Sequence, residues 1–437
     1  MNISKFFSVI ALSAACLLPA AAQQETPSAL SLSLEEAQTY AIEHNRTLKN
    51  ASLDIRKAQA SKWQSIASML PQINATATYS KSFDKDFHDY SLDFSGAKIV
   101  MPSTGNFNIQ MSVAVSGSQV VATKLGEIAL QMSDITFRQS EQQTRDQVKT
   151  LYYSALVVER TIGLLEANLE NMQKMYQQTL KAAEVGVSEQ TDADQLLVQV
   201  ATMQTTLNSK KITHEMTINS LRLQLGVAAD VPLQLSQSLD DLMNIDIVAT
   251  LLGEEFDPEC NYDFQLLRKN TELSKEQLNS AKWSCSPTLS AYYQFSQLTH
   301  FGASGGFDMN APHSVGATLS IPIFSSLSKT KSVQSARFEY EKQLNNMEQT
   351  EESLRIQHSQ LRYALATAYE TYQTQLQNLD VTQRIFDKMS SKYAHGAASS
   401  LELTTAGNDL ISAQSTYVQA LLSLVTAQIQ LEELLNR

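Results

Sequence analysis

Gly302, Ser304 and Gly306 stand at the spacing of a nucleophile elbow, the motif that presents a serine to an acyl carbon. The elbow needs a strand entering and a helix leaving, whereas an alternating strand pattern follows here, so the segment reads as a surface loop. Asp84, Asp86, His88 and Asp89 could gather a metal ion, and the plainer reading is a solvated polar loop. His214-Glu215 opens a zinc-helix motif but lacks its second His, because Ile218 occupies that position. No G-x-x-x-x-G-K-[ST] stretch is present to hold a nucleotide. No catalytic, cofactor-binding or metal site is therefore expected, and the chain does not read as an enzyme. Two carboxylates keep a possible role, Asp192 and Glu402, each near the start of a helical run. Either could simply complement the positive N-terminal end of its helix. A carboxylate repeated by symmetry at a constriction would instead form a negative ring that favours cations. For Glu402 both readings stand, and for Asp192 the helix-end role is favoured.

The elements that position these residues begin with an export signal. Lys5 supplies a positive start, Phe6 to Leu18 an apolar run too short to span a bilayer, and Ala20-Ala21-Ala22 a cleavage site before Gln23. Residues 1–22 are thus read as a removed signal peptide. Cys16 has Ser13 three residues before it, where a lipid-attachment signal would have Leu, and the apolar run continues past it. Cys260 and Cys285 lie roughly 35 Å apart if the intervening residues are helical, which is far beyond disulfide reach. A net charge of -12 with interspersed acids and bases excludes nucleic acid as a partner. Beyond the signal, no run approaches the roughly 18–20 apolar residues of a membrane-spanning helix, so any spanning is expected from strands.

Four short segments alternate. Ile73, Ala75, Ala77 and Tyr79 face away from Asn74, Thr76, Thr78 and Ser80, and Phe107 through Val115 alternate with Asn108 through Ser116. In the second half, Leu289, Ala291, Tyr293 and Phe295 form one apolar set, and Val315, Ala317, Leu319 and Ile321 the other. Apolar residues on one side and small polar ones on the other suit a barrel wall between lipid and a wet lumen. Four strands cannot close a barrel, and an open edge in hydrocarbon leaves backbone groups unpaired, so several copies must share one barrel. Two copies would leave a lumen filled by side chains, whereas three would leave room for a channel.

Proline is absent from 103 to 231 and from 323 to the C-terminus. Uninterrupted helices over about 119–185 and 325–395 would each measure roughly 100 Å at 1.5 Å per residue, too long for a compact domain. Heptad-like stripes run through Ile162, Leu165, Leu169, Met172 and Tyr176, then Leu196, Val200, Met203 and Leu207. The second half matches with Leu376, Leu379, Phe386, Met389 and Tyr393, followed by Val418, Leu421 and Val425. Each long run breaks once, at Val185-Gly186-Val187-Ser188 and at His395-Gly396-Ala397-Ala398, where Gly ends one helix and hydroxyl residues can cap the next. The chain thus divides into two repeats, about 35–228 and 262–437, with a linker over about 229–261. Residues 23–437 form one domain, mainly α with membrane β.

Leu32-Ser33-Leu34-Glu35-Glu36-Ala37, the strand-leading Pro71 and Pro287, Ile321-Pro322-Ile323-Phe324 and the two Gly hairpins together make the chain resemble the TolC-like outer-membrane efflux proteins. Arg46 stands where that family often has Pro. The resemblance implies a homotrimer with a twelve-stranded barrel in outer-membrane lipid, continued by an α-helical coiled-coil tunnel through the periplasm. It implies a passive channel of a tripartite efflux or secretion system that exports small molecules or proteins, with a periplasmic adaptor and an inner-membrane transporter as partners. The adaptor would dock on the hairpin tips at Gly186, Val187, Ser188, Gly396, Ala397 and Ala398. By position, Asp192 and Tyr393 look like latch residues of the closed tunnel end and Glu402 like an acidic ring. Ala398 replaces an Arg of that latch, and Thr405 a second acid, found in some relatives. A structural or adhesive coiled-coil protein of the cell envelope, without channel activity, is the competing reading.

Overall fold

The computed structural model describes residues 30–94, 96–186, 188–239, 245–301 and 312–436. The expected signal peptide, Val187 and the Gly302-Ser304-Gly306 segment lie outside the described residues.

A short strand β1 (Leu30–Leu32) leads into α1 (Leu34–His44), which starts on a capping box. Ser33 Oγ accepts from Glu36 N, and the Glu36 carboxylate accepts from Ser33 N. Helix α2 (Arg46–Ala67) follows after one residue, Asn45, whose Oδ1 accepts from Thr47 N at 2.7 Å and Leu48 N at 3.4 Å. The sequence reading did not separate these two helices. Asn is a strong N-cap, and this one interrupts a run with no Pro or Gly to mark the break.

Strand β2 (Gln72–Ser80) follows Pro71, then a loop carrying the hairpin β3 (Ser91–Phe94) and β4 (Ala97–Val100), then β5 (Ser103–Val115). Strands of four residues each are too short for their alternation to stand out in the sequence, so this hairpin was not expected; it has Gly96, with φ +90°, between its strands. The second repeat supplies β7 (Thr288–Phe301) and β8 (His313–Ser320), after β6 (Leu233–Leu235) in the linker has paired in parallel with β1. β2, β5, β7 and β8 form one antiparallel sheet in the order β2-β5-β7-β8.

Its register aligns the apolar sets across all four strands. Ile73 pairs with Met111, Met111 with Tyr293 and Tyr293 with Val315, all on one face. The adjacent row, Asn74, Gln110, Gln294 and Ser314, is wholly polar and faces the other way. A shift by one residue would exchange the faces, so the alternation itself specifies this register. The apolar face is not covered by the chain: Ile73 is 69% exposed and Val315 81%.

Each repeat then sends out a long helix and a return. α3 (Gly117–Glu184) has 68 residues and α4 (Gln190–Leu225) 36. After α5 (Ile245–Leu252) and α6 (Tyr262–Trp283), α7 (Ser328–Ala394) has 67 and α8 (Ser400–Leu435) 36. Among the described residues their packing buries a small cluster around Phe264, Leu354 and Leu434 and two large ones. One centres on Tyr152, Leu156, Leu221, Leu365, Leu421 and Leu424. The other takes in most of the predicted stripe, with Leu165, Leu169, Met172, Leu196, Met203 and Phe386 at its heart. Leu376 departs from the stripe and is 43% exposed. Asn168 and Gln414, both buried, join α3 to α8 through a 2.8 Å hydrogen bond. Among the described residues no helix is long and apolar enough to cross a membrane.

One device recurs in both repeats. Asn45 caps α2 with its carbonyl and donates from Nδ2 to the Gln224 carbonyl, at the end of return helix α4, at 2.7 Å. Asn261 caps α6 through Asp263 N and Phe264 N and donates to the Leu434 carbonyl, at the end of return helix α8, at 3.2 Å. Both return helices end in a left-handed residue, Gly226 and Asn436. Each Asn stands at the same separation from its strand-leading Pro, a signal readable in the sequence but not used.

Candidate functional site

The helical ends opposite the sheet carry the residues singled out above. α3 stops at Glu184, and Gly186, at φ +74°, turns the chain, its N–H bonding to the Ala183 carbonyl at 3.0 Å. α7 stops at Ala394, and Gly396, at φ +69°, does the same. There the Gly396 and Ala397 N–H groups return to the Tyr393 and Lys392 carbonyls, so the last turn is closed without side chains. The left-handed φ favours glycine at both tips, and a Cβ at either position would meet no atom within 4 Å. These surfaces are open.

The structure brings Tyr393 and Ser188 together through a residue that sequence reasoning passed over. Buried Thr179 meets the Tyr393 hydroxyl at 2.5 Å through its own hydroxyl, and its main-chain carbonyl accepts from Ser188 Oγ at 3.2 Å. The first tip and α7 are thereby joined within one chain. Nothing in the local sequence distinguishes Thr179 from the other helical threonines, most of which bond back to their own helix. Asp192 is not part of this group. It lies in the first turn of α4, half-buried, and the N-cap position before it is held by Glu189 without a side-chain hydrogen bond. Asp192 thus stands in the first turn, where a carboxylate suits the positive helix end, and is not the cap residue.

Glu402 is engaged locally. Its Oε2 accepts from Ser399 N at 2.8 Å and Ser399 Oγ at 2.9 Å, while Ser399 Oγ accepts from Glu402 N at 3.2 Å. The backbone N–H of Ser399 is the main reason this carboxyl is held below its ordinary pKa, so it is charged at neutral pH. A capping box and a negative ring are compatible, since the cap fixes the side chain and keeps it ionised. Further along α8, Gly407 lets the helix approach closely: a Cβ there would lie 3.0 Å from Met172 Cε. Gln199 and Asn408 bridge α4 to α8 at 2.6 Å.

The other chemistry-bearing residues are used structurally. Asp84 Oδ1 accepts from the N–H groups of Asp86 and His88, both at 2.9 Å, which closes the loop before β3. Glu215 pairs with Arg222 at 3.0 Å. Cys260 and Cys285 are free and exposed.

Residues 39–227 and 259–437 match the outer membrane efflux protein family. The chain belongs to that family. Its fold is shared with solved channels of low sequence identity. The CusC structure has a TM-score of 0.75 at 16% identity and covers 94% of this chain and 95% of its own. VceC of Vibrio cholerae scores 0.71 at 15% identity, covering 92% and 95%. The open-state MtrE channel of Neisseria gonorrhoeae scores 0.71 at 15%, covering 92% and 88%. No curated protein sequence matches the chain. This outer membrane efflux protein is a passive channel of the outer membrane with a helical periplasmic portion, and not an enzyme.

Proposed function

We propose that three copies of this efflux protein close one twelve-stranded barrel and continue it as a helical tunnel. The mature chain, 23–437, acts as one domain of two repeats, about 35–228 and 262–437, joined by the linker at about 229–261. The observation that carries the reading is the sheet: β2 and β8 end it on either side with no neighbour among the described residues, while its apolar face is aligned across all four strands. In hydrocarbon such edges must be paired, and further copies supply the partners. Apolar residues left uncovered on the helices, among them Ile212 and Met216 on α4 and Tyr363 and Ile385 on α7, supply packing faces for the same neighbours.

The tunnel passes small molecules or proteins outward, driven by an inner-membrane transporter. A periplasmic adaptor engages the tips at Gly186, Val187, Ser188, Gly396, Ala397 and Ala398. Tyr393 and Asp192 hold the tunnel end, and Glu402 lines it as a charged ring. An envelope protein of purely structural or adhesive role has no use for the aligned apolar face and is not favoured.

Single-channel recording in planar bilayers tests the reading, and two substitutions separate the roles of Glu402. Gln supports a capping box as Glu does. Glu402→Gln is therefore expected to keep the capping box and lower thermal stability less than Glu402→Ala does, while cation preference falls. Glu402→Ala loses preference and also lowers thermal stability, because the Ser399 backbone N–H loses its partner. Unitary currents whose selectivity is indifferent to Glu402→Gln would reduce Glu402 to a cap, and an inserted protein that never conducts would sink the channel reading.

A further inference from the structure

The foot of the sheet, where strands give way to helices, gathers four junctions: α2 into β2, β5 into α3, α6 into β7 and β8 into α7. They are packed together. Gln119 Nε2 donates to the Ser68 carbonyl at 3.3 Å, and Lys329 Nζ to the Ser284 carbonyl at 2.6 Å. The Trp283 ring covers Gly117 so closely that a Cβ there would lie 2.1 Å from it.

Cations outnumber acids at this foot. Residues 60–71, 116–126, 277–287 and 321–338 hold Lys62, Lys124, Lys282, Lys329, Lys331 and Arg337, in a chain of net charge -12, and the nearest acids along the chain, Glu127, Glu276 and Glu339, stand one residue beyond these stretches. Lys62 pairs with Glu127 and Arg337 with Glu341. Among the described residues, no carboxylate forms an ion pair with Lys124, Lys282, Lys329 or Lys331.

The apolar wall runs into the same foot. Leu319 belongs to the apolar set of β8, and the alternation continues through Ile321 and Ile323 after the last paired residue. Ile323 is 93% exposed, Phe324 83%, Leu327 65% and Trp283 51%. Ser326 and Leu327 both hold left-handed backbone, φ +49° and +66°, in turning the chain into α7. Exposed aromatic and aliphatic side chains beside uncompensated lysines form the pattern of a surface that lies at a lipid boundary.

We propose that this foot is a phospholipid-recognition surface, with Ile323, Phe324, Leu327 and Trp283 seated at the acyl–headgroup boundary of the leaflet on the helical side and the lysines holding anionic headgroup phosphates. The proposal rests on the barrel reading above. Continuity with the barrel wall selects lipid as the occupant of the apolar residues, and the four lysines without an ion pair select an anionic headgroup. Attraction of this kind acts within a Debye length and weakens with salt.

The test reconstitutes the full chain into vesicles of phosphatidylcholine alone or mixed with phosphatidylglycerol, confirms insertion by flotation, and follows thermal unfolding at low and high salt. Wild type is expected to unfold at a higher temperature in the anionic vesicles, with the gain shrinking as salt rises. K124Q/K282Q/K331Q, which spares the Lys329 bond to Ser284, is expected to lose that gain and to match wild type in phosphatidylcholine. Equal Tm of wild type in both vesicles, or a gain that survives in the triple variant, overturns the proposal. Protein that does not float with vesicles overturns the barrel reading as well, whereas protein that floats and ignores lipid charge overturns only the lipid surface. I323S/F324S is expected to keep the size of the wild-type assembly in detergent and to lower Tm in both vesicles. Loss of the assembly in detergent would instead assign those side chains to a neighbouring copy and overturn their place in the proposal.

Discussion

Gly226→Ala is expected to destabilise this efflux protein by about 3 kcal/mol, far more than the same change at Gly186. The two glycines have nearly the same backbone, φ +71° and +74°. A left-handed alanine costs roughly 1 kcal/mol wherever it stands, so the conformation alone predicts equal effects. Their surroundings decide otherwise. A Cβ at Gly226 would lie 2.5 Å from the His44 carbonyl oxygen and 3.0 Å from its carbon, and both atoms are backbone. Neither can move without disturbing Asn45, which caps α2 and holds the end of α4 through Gln224. Displacing that buried amide from its partner adds the cost of an unmade hydrogen bond, roughly 1–3 kcal/mol. At Gly186 a Cβ meets nothing within 4 Å. Thermal unfolding of the two variants in detergent checks the contrast, and equal shifts in Tm would refute the account of how the repeat is closed.

Asp146→Asn is expected to remove a pH dependence of stability worth about 2 kcal/mol. Asp146 is buried on α3, near Glu432 and Glu433 of α8, with Lys149 as the cation among them and already paired to Glu432. Gln142 offers long hydrogen bonds, the shorter at 3.3 Å. Burial, and after it the charge of Glu433, push the Asp146 carboxyl from its ordinary 3.8 up to about 7. Between those values the folded chain holds a proton that the unfolded chain has released. Stability therefore falls as pH rises from about 4 towards 7, and above that range the ionised group is a standing penalty. The full shift corresponds to roughly 4 kcal/mol at 1.36 per unit, and relaxation with solvent access halves it. Asn keeps the shape without titrating. The variant should match wild type near pH 4.5 and exceed it near pH 8 in thermal unfolding; parallel pH profiles would rule out the role given to Asp146.

Much of this was legible in the sequence, because strands and long helices announce themselves by period. The alternation that put Ile73, Met111, Tyr293 and Val315 on apolar faces is the one the register aligns. Gly186 and Gly396 marked the tips because a helix reversing direction needs a left-handed residue. Features that depend on distant residues were not legible. Asn45 reads as a helix cap, but its bond to Gln224 exists only once the return helix comes back. Thr179 carries no local signature of its bond to Tyr393. The lysines at the foot of the sheet are scattered through four stretches, and only the fold gathers them. The sequence alone does not choose between cap and ring for Glu402; the geometry supplies the cap, while a ring depends on neighbouring copies.

The claim on which the rest depends is that three chains close the barrel that one chain leaves open at β2 and β8. Native mass spectrometry of the protein extracted from outer membranes in mild detergent measures this directly. The account predicts particles of three chains that require detergent to stay dispersed. Particles of one or two chains, or a protein that remains soluble and monomeric without detergent, would contradict it.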